Sequence, residues 1–169
     1  MRVFVTFSAV ILMAAAFFAL ADTEINLRGN VVASPCSVDT DTVNKLVEFD
    51  PLQRTDLITA GTGGAWQNFS LLVKNCPAGT RQVTVKYLGT NDIQDATAWK
   101  NTGTATHVAL RMTNADHSVI YSNGNAQQIS VNSSTNSAEF PLSAKIFTPQ
   151  GNAGAGTFAA TINLEFTWQ

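Results

Sequence analysis

The end of the chain alternates without a break. Gly156, Phe158, Ala160, Ile162, Leu164, Phe166 and Trp168 are separated by Thr157, Ala159, Thr161, Asn163, Glu165 and Thr167. Successive side chains of a strand point to opposite faces, so this pattern predicts a long strand with one apolar face. A second alternation lies near the start, where Ile25, Leu27, Gly29 and Val31 are interleaved with Glu24, Asn26, Arg28 and Asn30. Strands need neighbours, and these two stand at opposite ends of a cysteine-framed body. Residues 22–34 either return to this chain's own sheet or complete the sheet of another molecule.

The first 21 of the 169 residues differ in character from the rest of the chain. Arg2 supplies a positive charge, residues 3–18 are almost wholly apolar, and Ala19-Leu20-Ala21 closes the run with small residues at the critical positions. This predicts a secretory signal peptide over 1–21, cleaved before Asp22. About 148 residues then remain, enough for one domain with its own core. Without Arg2, nine Lys and Arg face twelve Asp and Glu, and the basic residues are scattered. No nucleic-acid patch or membrane-binding face results.

Cys36 and Cys76 are the two cysteines of a chain directed out of the cytoplasm. A structural disulfide is expected in that compartment. The spacing fits no C-x-x-C redox pair, and His107 and His117 form no ligand cluster with either cysteine.

Between the ends, short β-branched or alternating segments are bounded by Gly, Asn, Asp and Pro. Strands are predicted over 37–40, 45–49, 66–75, 81–88, 106–113, 118–122, 127–131, 138–147 and 156–168. Helix is not predicted after Ala21. Pro141 falls inside a good strand, which predicts a sheet edge or a bulge there. The fold class is therefore all-β, an antiparallel sandwich.

Catalytic and ligand-binding chemistry finds little support. There is no G-x-S-x-G elbow among the serines, and His107 is read as a solvated surface residue beside Arg111. Asp39 and Asp41 fail as a calcium loop, because Val43 stands where a third oxygen ligand is needed. Gly61-Thr62-Gly63-Gly64 lacks the Lys of a phosphate loop. Trp66 and Trp99 are read as core or half-buried residues ahead of a sugar platform. No enzyme, metal or cofactor is expected.

The residues that remain carry a resemblance. They are the run from Ile25 to Ala33, Ser34-Pro35-Cys36-Ser37-Val38, Asn75-Cys76-Pro77-Ala78-Gly79-Thr80, Phe140-Pro141-Leu142, and the terminal alternation that opens at Gly156. In these, the chain resembles the pilins of the chaperone–usher pathway, most closely the minor adaptor subunit that joins the tip adhesin in type 1 fimbriae. The match spans essentially the whole mature chain; Trp168 departs from the tyrosine usual at the penultimate position.

The resemblance implies an incomplete immunoglobulin-like sandwich over 35–169, lacking its final strand, with residues 22–34 as a donor-strand extension. Gly156, Phe158, Ala160, Ile162, Leu164, Phe166, Trp168 and Gln169 would border the acceptor groove and receive a periplasmic chaperone's strand. Ile25, Leu27, Gly29 and Val31 would plug a neighbour's groove. The implied partners are the chaperone, the outer-membrane usher and neighbouring fimbrial subunits, the tip adhesin among them. The implied destination, reached through the periplasm, is the cell-surface fimbrium. A major shaft pilin is the alternative role. A receptor-binding adhesin is less favoured, since about 148 residues leave no room for a separate lectin domain.

Overall fold

A computed structural model describes Arg28, Gly29 and residues 35–169. In chain order its strands are β1 (Ser37–Val38), β2 (Gln67–Lys74), β3 (Gln82–Leu88), β4 (Trp99–Lys100), β5 (Ala109–Asn114), β6 (Ile120–Tyr121), β7 (Ala126–Ser130), β8 (Ala138–Phe147) and β9 (Asn163–Trp168). A single helical turn, α1, covers Thr40–Val43, and a 3-10 turn covers Arg54–Leu57. Both turns are too short to carry an apolar face of their own. Asp39 caps α1 by accepting from the Asp41 amide at 3.1 Å and pairs with Lys74.

Two antiparallel sheets result. The larger runs β1-β2-β8-β5-β4, with β6 also on β5, and the smaller runs β7-β3-β9. Alternation on β2, β3, β5 and β8 sends Leu71, Val73, Val83, Val85, Tyr87, Met112, Phe140 and Leu142 into one shared core. Each fully buried side chain of this kind contributes roughly 1.5–3 kcal/mol. Tyr87 takes its hydroxyl into that core and donates to Gln127 Oε1 at 2.8 Å; burial first, then nearby Tyr121, raises its pKa. Cys36 and Cys76 are joined, 40 residues apart, tying β1 to the end of β2. Closing such a loop stabilises a fold by about 4 kcal/mol on the chain-entropy view.

β8 lies in the middle of its sheet, so Pro141 is not on an edge strand. It faces Ser70 of β2 on one side. On the other side the β5 ladder stops at the Asn114–Leu142 pair, one residue short of it. Proline's missing N–H is thus tolerated where the central strand has only one local neighbour.

The outer face of the larger sheet holds a like-charged pair, Arg111 directly opposite Lys145. Such a pair is unfavourable unless each cation finds its own partner. Arg111 lies over the Phe147 ring at 4.2 Å and pairs with Asp95 of the loop above. Lys145 rests over Trp66 at 4.8 Å; burial and then Arg111 lower its pKa. Trp66 in turn stacks on His117 at 4.1 Å, half-buried as expected, whereas Trp99 is fully internal and donates to the Tyr121 carbonyl at 2.9 Å. His107 is exposed and precedes β5 instead of sharing its face with Arg111.

Burial alone would push the Asp95 carboxyl up. Hydrogen bonds from the Thr97 hydroxyl and amide, together with Arg111, outweigh it and hold the group below the ordinary carboxylate value. A depressed folded-state pKa stabilises above the unfolded value and loses that contribution as pH falls through the folded one. Asp95→Asn is therefore expected to cost about 1 kcal/mol near pH 7 for a partly exposed pair. The difference from wild type should shrink as pH drops below roughly 4. Thermal unfolding of both proteins across that range checks it; a gap independent of pH would contradict the assignment.

Candidate functional site: an open groove beside the last strand

β9 has β3 on one side and, among the described residues, no strand on the other. Its hydrogen-bond parity follows from its ends. Gln169 and Gln82 exchange both amide–carbonyl bonds at 3.0 Å. Further back, the Thr157 and Ala159 carbonyls accept from Ala105 and Thr102 at 2.9 and 2.7 Å. The amides of the same two residues donate to Thr104 Oγ1 and Asn101 Oδ1 at 2.9 Å. Odd-numbered residues therefore direct their backbone groups toward β3 and the 101–105 loop. The even-numbered residues from Phe158 to Trp168 direct theirs to the open side.

Those same residues turn their side chains toward the core. Phe158, Ala160, Ile162, Leu164 and Phe166 are half-buried against it, and the residues between them are exposed. One set of residues thus presents both an incompletely covered apolar face and a row of donors and acceptors without a partner among the described residues. The predicted strand over 156–168 is corrected in part: only Asn163–Trp168 is laddered. Its first half is held instead by a loop, through the Thr102 and Ala105 amides and the Asn101 and Thr104 side chains, a pairing that no periodicity encodes.

Beside this edge runs an apolar groove of about 730 Å³. Gly156, Phe158, Ala160, Ile162 and Leu164 form one wall, residues 45–52 form the other, and Leu71, Leu110, Met112, Leu142 and Ala144 contribute to the floor. The strand predicted over 45–49 is also corrected. Residues 45–52 join no ladder and make no backbone–backbone hydrogen bond among the described residues, although Val47 and Phe49 still turn inward. At one end the walls touch, Phe49 meeting Phe158 edge-on with ring centres 6.2 Å apart.

Gly156 is required where it stands. A Cβ there would lie 2.4 Å from the Ala105 nitrogen and 2.6 Å from the Thr104 carbonyl carbon, both backbone atoms that cannot yield cheaply. The chain crosses the 101–105 loop at contact distance just before the groove wall begins. At the other end, Trp168 is 39% exposed, and the Gln169 carbonyl accepts from the Arg81 and Gln82 amides. Of the N-terminal residues predicted to plug a groove, Gly29 is described and exposed, while Ile25, Leu27 and Val31 lie outside the described residues, as does the predicted signal peptide over 1–21.

An antiparallel sandwich whose last strand has, among the described residues, one unpaired edge beside an apolar groove is the arrangement of a pilin-type domain. Residues 25–169 match the fimbrial protein family, and the chain belongs to it: a structural pilus subunit of the chaperone–usher type, not an enzyme. Among curated relatives, it is 34% identical to Protein FimG of Escherichia coli K12, over 95% of this chain and 93% of that one. It is 35% identical to the fimbrial-like protein YdeR of the same organism, over 88% and 86%. In fold it is similar to a subunit of a chaperone–usher pilus solved in connection with rod uncoiling. That match has a TM-score of 0.65 at 18% identity and covers 92% of this chain and all of the other.

Proposed function

We propose that this chain is a minor linking subunit of a type 1-like fimbria, joining the tip adhesin to the rest of the pilus by exchange of strands. The groove beside Gly156, Phe158, Ala160, Ile162, Leu164, Phe166 and Trp168 takes a strand from a periplasmic chaperone, with Gln169 at the gripped end. At the outer-membrane usher, the N-terminal strand of the following subunit replaces it. Residues 22–34, with Ile25, Leu27, Gly29 and Val31 inward, fill the groove of the subunit assembled before. Complementation of pilins by their chaperones is a known form of strand addition.

One observation carries the reading: the half-buried side chains and the free backbone groups belong to the same residues of β9 and the segment before it. An inserted strand would satisfy both at once. Each bond formed would contribute roughly 0.5–1.5 kcal/mol net, and each fully covered aliphatic side chain roughly 1.5–3 kcal/mol. The relationship to FimG favours the linking role over bulk shaft pilin. Quantitative mass spectrometry of purified fimbriae tests that role. A few copies per fimbria are expected, and abundance matching the shaft subunit would reverse the assignment.

A further inference from the structure

We propose that the pole of the domain at the Gly156 end of the groove, carrying Ile58 and Ile93, is a docking surface for the body of the fimbrial subunit that donates its strand. The inference rests on the strand-exchange reading and adds a domain-to-domain contact to it.

Three observations lead there. The first is direction. Every ladder in both sheets is antiparallel, and antiparallel pairing is slightly the more stable per residue. A strand laid antiparallel to β9 brings its C-terminal end to Gly156, so the donor's body lies beyond that end. The second is tether length. In a subunit built like this chain, the last inward position of the donor strand, Val31, stands five positions before the disulfide-fixed Cys36. Five residues span at most about 18 Å. The donor's body is therefore held within a few side-chain lengths of the groove mouth.

The third is what stands at that mouth. The Leu57 and Ile58 carbonyls accept from Ala153 and Asn152 at 3.2 and 3.0 Å, and Gln94 Nε2 donates to Gln150 Oε1 at 3.2 Å. These bonds gather the 57–60, 92–98 and 149–154 loops beyond the C-terminal end of β8, beside Ala153, Gly154 and Gly156 of the groove. On them Ile58 is 57% and Ile93 is 93% exposed. Ile93 sits on a pinned support, since Asp95 two residues on pairs with Arg111.

The opposite pole has a counterpart. Thr42 accepts from the Leu72 amide at 2.8 Å, which places α1 beside the pairing partner of Glu139 at the start of β8, and Val43 on it is 63% exposed. The eight-residue step from Glu139 to Phe147 separates the two poles by about 26 Å. Apolar residues at both ends of one body suit a head-to-tail contact, which propagates as a filament instead of closing into a ring.

Photo-crosslinking in assembled fimbriae tests this, with the full chain carrying p-benzoylphenylalanine at position 93 or, separately, at position 161 beside the groove. Position 161 is expected to capture the N-terminal strand of one subunit, and position 93 the body of that same subunit beyond its first cysteine. Ile58→Asp should lower the yield at position 93 at least threefold. Capture at 161 with none at 93 overturns the docking surface and leaves strand exchange standing. Capture at neither position overturns both. Capture at 93 of a different protein, or a yield indifferent to Ile58→Asp, also overturns the docking surface.

Discussion

Ile162→Asp is expected to abolish the stable complex between this chain and a periplasmic chaperone, and with it incorporation into fimbriae. Ile162 lies midway along the groove wall, its side chain half-buried and turned toward the core. In the unfilled groove, a carboxylate at this position still reaches water. Insertion of an apolar strand would remove that water and provide no cation in exchange. Burying an unpaired carboxylate costs several kcal/mol, so a loss of about 3 kcal/mol, more than a hundredfold in affinity, is a conservative expectation. Co-purification of a chaperone with the wild-type and variant chains measures it. A neutral substitution on the outward face, Thr161→Asn, should leave the complex intact and separates a groove effect from a general folding defect. Recovery of a normal complex with the aspartate variant would remove the groove from the assembly mechanism.

The second large effect concerns the other end. A chain lacking residues 22–32 is expected to bind a chaperone normally and yet fail to attach to the preceding subunit. The body starts at the disulfide-fixed Cys36 and draws its core from β2, β3, β5, β8 and β9, so the deletion removes none of the described residues of that core. On the proposed donor role, the loss falls on the surface offered to the neighbour, namely Ile25, Leu27 and Val31 at roughly 1.5–3 kcal/mol each on full burial, plus the bonds of their backbone. Fimbriae from cells expressing the truncated form should lack the preceding subunit, as read by immunoblotting of sheared fimbriae. Normal tips built with the truncated chain would falsify the donor role.

The two ends differ in how well they can be read from residues alone. The body is legible wherever a segment alternates and also finds a partner within the chain. β8 occupies the predicted 138–147, and β2 falls one residue inside the predicted 66–75 at each end. Residues 45–49 are predicted as a strand yet form none, because among the described residues no strand reaches them. Residues 156–162 likewise stay outside the ladder, their bonds going to the Thr102 and Ala105 amides and the Asn101 and Thr104 side chains of a loop. Side-chain periodicity reports which face is apolar and is silent about hydrogen-bond partners. Hence both walls of the groove read as strands in the sequence, and both are incompletely paired among the described residues.

Other features leave no local signal. Asp95 and Arg111 are sixteen residues apart and meet only because the 92–98 loop folds over the outer sheet face. Pro141 suggests an edge or a bulge, yet its strand is central and tolerates it because the β5 ladder ends one residue away. The Phe49–Phe158 contact joins positions more than a hundred residues apart. Each depends on where a ladder stops or a loop crosses, which is set by the packing of distant segments.

What the sequence by itself determined was the all-β class, the cysteine pair and the apolar face of the last strand. Those follow from the two-residue period of a strand and from side-chain chemistry, both of which are local. Only the tertiary structure decided that β9 would have, among the described residues, a partner on one edge alone, and that its other edge would border a groove of about 730 Å³. A vacancy is a property of the whole arrangement of strands: no residue carries it, and it exists only where the others fail to reach.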